Sequence, residues 1–576
     1  MTASQALARQ PSVDTSIDAV SFNLLDSPWI PVLDRRGSER EVSLREAILQ
    51  SHEYRDLVGE LPTMRFAILR ILLSIVYRAL DRDPGADPVD AWAELWETAE
   101  LPQAPLEQYL GEWHDRFDLL DAEQPFLQSP GLHTAGDEWK PISLIVADTD
   151  PDGALFTMRS ELASLPLAEA ARWLVHAHAY DYSGIKSGVV GDQRVKGGKA
   201  YPMGLGACGW FGGIALTGRD LRETILLNLI PGSSAKRPND APMWERPAPG
   251  PGPRDPEEIG TIGPIGLMTW PQRRIRLRVE GTRATGVLVT NGDELDYTML
   301  FGTELMTGWR FSEPQSAKAK APRYMPRKID SSRALWRGLG TLLTSGGSDT
   351  PASQKVKKKW NVPALSEPAA IITWLEKLVQ ERVIPQDRAI EVSAVSMDYG
   401  TQNASYAEVV SDRLAFKAAL ADLAGGAALL ALAQDAVGRA EQAVRALGRL
   451  AIDLDRAAGG DGGDSESGPG ANAEADAFAT LDRRFREWLL ELAPERDGNA
   501  LLAAWTEDVR GLVRERAHRL VETAPDTAWI GRRSSDGSRS VSVADAIQYF
   551  EAALFRTLGA PLKRTTESRN GAQNDE

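Results

Sequence analysis

The residues able to do chemistry are few, and they do not assemble into a familiar set. The chain has six histidines. His176 and His178 stand in an HAHAYD run, and His114 precedes Asp115 in EWHDRF. A catalytic zinc takes about three protein ligands, and residues two apart share a face only on a strand. With no HExxH pair and no cysteine partner, these histidines read as structural or surface residues. Cys208 is the single cysteine, so neither an internal disulfide nor a CxxC site can form. Gly204–Gly209 spells GxGxxG, yet a dinucleotide fold needs a buried strand just before that motif. The preceding GGKAYPM is no such strand. Gly198-Lys199 fails as a phosphate loop, because Gln193 stands where its first glycine belongs and Ala200 where Ser or Thr would hold magnesium. No GxSxG elbow occurs. No catalytic residue, metal or cofactor is expected. A metal-dependent hydrolase built on His114-Asp115 or on HAHAYD stays as the enzymatic alternative.

The cations are better organised. The formal charge is −16, with 65 Lys plus Arg against 81 Asp plus Glu, which excludes a protein that coats nucleic acid over its whole surface. Between Pro314 and Trp360, however, eleven lysines and arginines face only Asp330 and Asp349. They include Lys318, Lys320, Lys357, Lys358 and Lys359, and the run reads as a basic, flexible strip able to track phosphates. Arg274, Arg276 and Arg278 alternate with Ile275, Leu277 and Val279, so on a strand they share one face. Ser183–Gly198 holds five glycines among basic residues and has no apolar periodicity. It reads as a mobile loop whose backbone can come close to a phosphate or a base edge.

Length and pattern supply the elements that must position these groups. At 576 residues the chain should hold several domains of about 100–200 residues each. Residues 1–20 read as a disordered lead without the apolar core of a signal peptide. No apolar run is long enough to span a membrane, so a cytoplasmic protein is expected. Phe22–Leu25 and Trp29–Leu33 read as strands, Arg36-Gly37 as a turn, and Ser43 as the cap of a helix from Leu44. Thr63–Leu80 reads as a buried helix, followed by helices over Val89–Glu100 and Leu106–Leu119. About residues 120–400 read as irregular α+β, with strands at Arg274–Val279 and Thr285–Val289. Tyr406–Arg456, Ala477–Leu492, Asn499–Thr523 and Val543–Leu558 read as long helices, and Gly459–Asp476 as a disordered connector. The expected fold is therefore α+β. A large mixed α/β N-terminal domain with irregular loops spans 21–400. An all-α four-helix bundle spans 401–565, with a disordered insert at about 457–477, and a disordered tail spans 566–576.

Four segments, in order, resemble the CasA family, the large subunit of the type I-E CRISPR surveillance complex, Cascade. They are FNLLDSPWIPV from Phe22, EQPFLQ from Glu123, GRDLRETILLN from Gly218 and MDYGTQNAS from Met397. The resemblance implies a non-catalytic subunit that reads the protospacer-adjacent motif, or PAM, of double-stranded DNA from the minor groove. It implies that this subunit wedges the duplex open to start an R-loop and recruits the CRISPR helicase–nuclease. The implied partners are the other Cascade subunits, CRISPR RNA and target DNA, with no membrane. Asn403 matches the wedge position, one carbon shorter than the family's glutamine, and Gln402 and Ala404 match its neighbours.

Ser183–Gly188 resembles the family's glycine loop, which places Gly184, Lys186, Ser187 and Gly188 beside the DNA. The stretch from there to Gly218 is longer than in the family, which implies an insertion. No lysine stands shortly before Trp309, where the family's PAM-reading lysine falls. Phe156 is the implied contact to the guide RNA. Arg274, Arg276, Arg278, Lys318, Lys320, Lys357, Lys358 and Lys359 are the candidates for the DNA backbone. A scaffold that binds only protein is the non-enzymatic alternative.

Overall fold

The computed structural model describes residues 21–560, apart from 82, 84, 148–161, 234–236, 238, 261, 347–349, 464–466 and 534–539. Phe156 lies outside the described residues. The N-terminal part is built around the helix Pro62–Leu80. Its apolar residues run round the whole helix, a pattern stable only in an interior, and fifteen of its nineteen residues are buried. The one charge buried with them, Arg70, is met by Glu304 through two parallel hydrogen bonds of 2.9 Å. The helix Leu167–Tyr180 packs across it.

A small antiparallel sheet orders Glu39–Val42, Ile30–Asp34 and Tyr54–Leu57 side by side. Ser43 caps the helix Leu44–Leu49 by accepting from the Glu46 N–H, as its type and place predict. Phe22–Leu25 makes only an isolated bridge, Asn23 to Asp118, and no strand. The Leu106–Leu119 helix is shorter than its pattern suggests. It runs Gln103–Glu112 and tightens into a 3₁₀ turn at His114–Phe117.

Two antiparallel hairpins carry the functional loops. Arg273–Glu280 pairs with Arg283–Asn291. Ala389–Tyr399 pairs with Tyr406–Lys417, in a register running from Ala389 opposite Lys417 to Tyr399 opposite Tyr406. Gly213–Thr217 lies along the other edge of Ala389–Tyr399. Tyr406–Lys417 is thus a strand and not the start of a helix. Its β-branched Val409-Val410 pair suits the ladder, and the Ala/Leu-rich residues that follow had dominated the window.

The bundle therefore begins at Ala427, and not at 401. Its helices are Ala427–Ala458, Pro469–Glu491, Gly498–Glu522 and Val543–Leu558, and the first packs against each of the other three. The first helix buries Ala433, Ala436, Ala440, Ala443, Leu447, Leu450 and Leu454 at spacings of three and four, the stripe of a core-facing helix. The connector is shorter than composition predicts, because Pro469 starts the second helix at the position where a missing N–H costs nothing. Ser542 and Asp545 form a reciprocal capping box on the last helix. Trp336 joins the two parts: it is fully buried, stacks on Phe485 at 4.4 Å and donates its Nε1–H to Asp482 at 2.9 Å.

Candidate nucleic-acid interface

The long hairpin ends in the loop Gly400–Ser405. Gly400 N–H donates to Ser405 O at 2.9 Å and Asn403 N–H to Gly400 O at 2.9 Å. Gln402 and Asn403 both sit in the left-handed region, at φ 59° and 56°, where a side chain costs about 1–3 kcal/mol. Asn tolerates that region best. This strained tip is held from outside. Ser183 N–H donates to Asn403 O at 2.8 Å. Below it, the Tyr399 hydroxyl donates to Tyr180 O at 2.8 Å, and the Tyr182 and Tyr406 rings meet edge to face at 5.3 Å. The two loops picked out by sequence thus form one surface, with Gln402, Ala404 and Ile185 exposed and Asn403 half-buried.

Lys186 does not belong to that surface. On the short strand Lys186–Ser187 residues alternate sides, and Ile185 takes the outside at 57% exposure. The Lys186 ammonium is buried, 2.8 Å from Asp181 and 3.7 Å above the Tyr182 ring centre. Arg273 reaches the same carboxylate and also donates to the carbonyls of Tyr182 and Gly204. Burial pushes the Asp181 carboxyl up, but Lys186 and Arg273 outweigh it and hold it below the usual range. The group is a buried brace beneath the loop. Sequence alone puts Ser183 in the glycine loop and Arg273 in a basic cluster, but the bracing roles of Arg273, Asp181 and the tyrosines escaped it. The one signal for them was the pair Tyr399 and Tyr406 flanking the tip.

The arginine face is likewise reassigned in part. Arg274 is fully buried, 2.7 Å from Asp293, and donates to the carbonyls of Gly250, Gly252 and Pro271. Alternation does place the three arginines on one face, but the 250–252 loop covers its first residue. Arg276 is half-buried over Trp139 and donates to Leu132 O, while Arg278 is exposed and paired with Glu280.

The basic strip is folded rather than flexible. It contains the helices Glu313–Ala319 and Pro351–Trp360 and the strand Tyr324–Pro326. Lys357, Lys358 and Lys359 occupy the last turn of their helix, where cations complement the helix dipole. Lys359 pairs with Glu313 at 2.6 Å, and Arg333 and Arg337 pair with Glu441 of the bundle. Lys318, Lys320 and Lys358 are exposed, and Lys357 is half-buried. Lys328 reaches the hairpin edge, 3.6 Å from Asp398 and 5.4 Å from the Tyr399 ring centre.

His176 and His178 serve the core. His176 shares a hydrogen bond with the Thr63 hydroxyl, and burial pushes its pKa down to about 3. His178 donates to Leu127 O, and burial pushes it down to about 4. His114 is raised by hydrogen bonds to Asp26 and Asp115. The GxGxxG run spends its N–H groups on the end of the Leu167–Tyr180 helix: Ala207 donates to His178 O and Cys208 to Ala179 O. Burial pushes the Cys208 thiol up to about 12. Among the described residues no three His, Cys, Asp or Glu side chains are grouped to hold a metal ion, and no helix is long and apolar enough to cross a membrane.

The family description CRISPR-associated protein Cse1 matches residues 23–516. The crystal structure of Thermobifida fusca Cse1 is similar at 39% identity and TM-score 0.84, over 93% of this chain and 98% of that one. CasA/Cse1 of Thermus thermophilus is 33% identical over 354 residues, 58% of this chain and 62% of that protein's length. A chain of a CRISPR RNA-guided surveillance complex shares the fold, with TM-score 0.62 at 20% identity over 88% of this chain and 99% of that one.

Proposed function

The chain belongs to the CRISPR-associated Cse1 family, and on that premise we propose that it is the non-catalytic large subunit of a type I-E Cascade complex. In that reading it works in the cytoplasm with the other Cascade subunits and CRISPR RNA. It recognises the PAM of double-stranded DNA from the minor groove, opens the duplex for R-loop formation and brings in the helicase–nuclease. The observation that carries this reading is the hydrogen bond from Ser183 N–H to Asn403 O, which joins the glycine loop to the hairpin tip. A groove reader needs backbone and short polar groups side by side, since the minor groove offers mainly acceptors and the guanine amino donor. The exposed Gln402 amide and the half-buried Asn403 amide supply donors and acceptors there.

The geometry of the tip also supports a wedge step. Unstacking a base step costs a few kcal/mol, and a tip that gave way would not transmit that force. This tip is short and braced by Tyr180, Tyr182 and Asp181 below it. Lys318, Lys320 and Lys358, exposed at the surface, are among the groups available to phosphates. Phe156 keeps its proposed place against the guide RNA.

The test is binding of the guide-loaded complex to duplexes that differ only in the PAM, at fixed salt. Wild type should prefer the matched PAM, and Gln402→Ala/Asn403→Ala should lose about 10-fold or more of that preference, since a good bidentate contact is worth about 1–3 kcal/mol. A preference that survives intact removes these two residues from the reading surface. No preference in the wild type removes the function and favours the protein-only scaffold.

A further inference from the structure

The glycine loop leads into a small β-hairpin whose tight turn presents two lysines. Lys186–Ser187 pairs with Lys199–Ala200. The chain reverses through Lys196-Gly197-Gly198-Lys199, where Lys196 N–H donates to Lys199 O at 3.0 Å and Lys199 N–H to Lys196 O at 3.2 Å. Both central residues have positive φ, 58° and 72°, which is a type I′ turn and requires residues such as glycine. The two lysines therefore face each other directly across the turn.

Like charges directly opposite on a ladder are destabilising. Both lysines are exposed, and neither has a carboxylate partner among the described residues. The only carboxylate between Ser183 and Met203 is Asp192. It is buried and clamped by Arg194 at 3.0 Å, so it cannot offset them. A local rule broken without internal compensation marks a functional place.

The turn is also built on a firm base. Arg194 donates to the carbonyls of Asn291 and Gly292 at 2.8 Å each, and the Asn291 amide donates to Tyr201 O at 2.6 Å. Both legs of the hairpin are thereby pinned to the strand Arg283–Asn291. Tyr201, two residues beyond Lys199, and Ile185, one before Lys186, are also exposed.

We infer that Lys196 and Lys199 grip the phosphate backbone of the duplex beside the PAM, adding affinity that does not depend on the sequence read. This rests on the DNA-reading function proposed above, and the chain runs directly from the exposed Ile185 of that surface into the hairpin strand Lys186–Ser187. A duplex presents a charge about every 1.7 Å along its axis, and residues paired across a hydrogen-bonded turn lie about 5.5 Å apart. Two lysine side chains so placed can reach neighbouring phosphates of one strand.

The guide-loaded complex carrying Lys196→Gln/Lys199→Gln, or Lys196→Arg/Lys199→Arg, is titrated with PAM-matched and PAM-mismatched duplexes at several salt concentrations. Each lost phosphate contact lowers the slope of log K against log salt by about 0.9. The glutamine pair should therefore lower the slope by about 1.8 on both duplexes and leave their ratio unchanged. The arginine pair should keep the wild-type slope. An unchanged slope in the glutamine pair, or a change confined to the matched duplex, overturns the inference. A wild type that shows no PAM preference overturns the proposed function instead, and the slopes still decide the role of the lysines.

Discussion

At the scale of single residues, the chemistry of this chain lies in what it hides. His176 and His178 are held neutral by burial, with pKa values of about 3 and about 4 against about 6.5 in an unfolded chain. As pH falls below about 6.5 the unfolded chain takes up protons that the native chain refuses, so stability falls with pH. Each histidine should cost about 2 kcal/mol between pH 7 and pH 5. Thermal melts across that range should show the decline, and His178→Gln, which keeps a donor for Leu127 O, should flatten it by about half. These histidines were read as structural or surface residues because the sequence offers them no ligand partners. Lys186 was not, because its role depends on Asp181 and Arg273. Arg273 lies far along the sequence and comes near only through the fold.

At the scale of elements, local signals served best where the decision was local. Ser43, the Arg36-Gly37 turn and the Pro62–Leu80 helix follow from neighbouring residues. The strand Tyr406–Lys417 does not, since its pairing with Ala389–Tyr399 decides it. The covered Arg274 was equally out of reach, because the 250–252 loop approaches from elsewhere in the chain. The small hairpin after the glycine loop shows how tight such tertiary demands become. A Cβ on Gly188 would lie 2.4 Å from the Gly198 carbonyl carbon and 2.5 Å from its oxygen. Backbone cannot step aside as a flexible side chain can. Gly188→Ala should cost about 1–3 kcal/mol and should open the Lys186–Ala200 hairpin first. Hydrogen exchange would show that as faster exchange of the amide at position 188, which donates to Gly198 O, with the bundle amides unchanged.

At the scale of the whole molecule, the excess negative charge and the cationic surface divide the labour. A net charge of −16 disfavours adventitious binding to nucleic acid, while exposed cations such as Lys318, Lys320 and Lys358 remain on the surface. The join between the N-terminal part and the bundle is centred on Trp336, which stacks on Phe485 and meets Phe478 edge to face, beside the helix Leu339–Leu343 packed on Ala427–Ala458 and the Arg333, Arg337 and Glu441 pairs. Trp336→Ala removes the apolar anchor at a cost of about 3–5 kcal/mol. Calorimetry of the variant should show a lowered melting temperature and a broader transition than wild type, because the two parts are less tightly coupled across the join. The division into a mixed part and a bundle was visible from composition. The boundary at Ala427 was not, since strand and helix there share the same alanine-rich vocabulary.

The burial of Cys208 has a practical side. A thiol pushed to about 12 inside the core stays protonated at working pH and is closed to reagents. The native chain therefore presents a blank background to maleimide dyes and spin labels. A cysteine placed at Ile185 or Gln402 becomes the one address for a probe, and the tip can be watched meeting a duplex without first stripping the protein of its own sulfur.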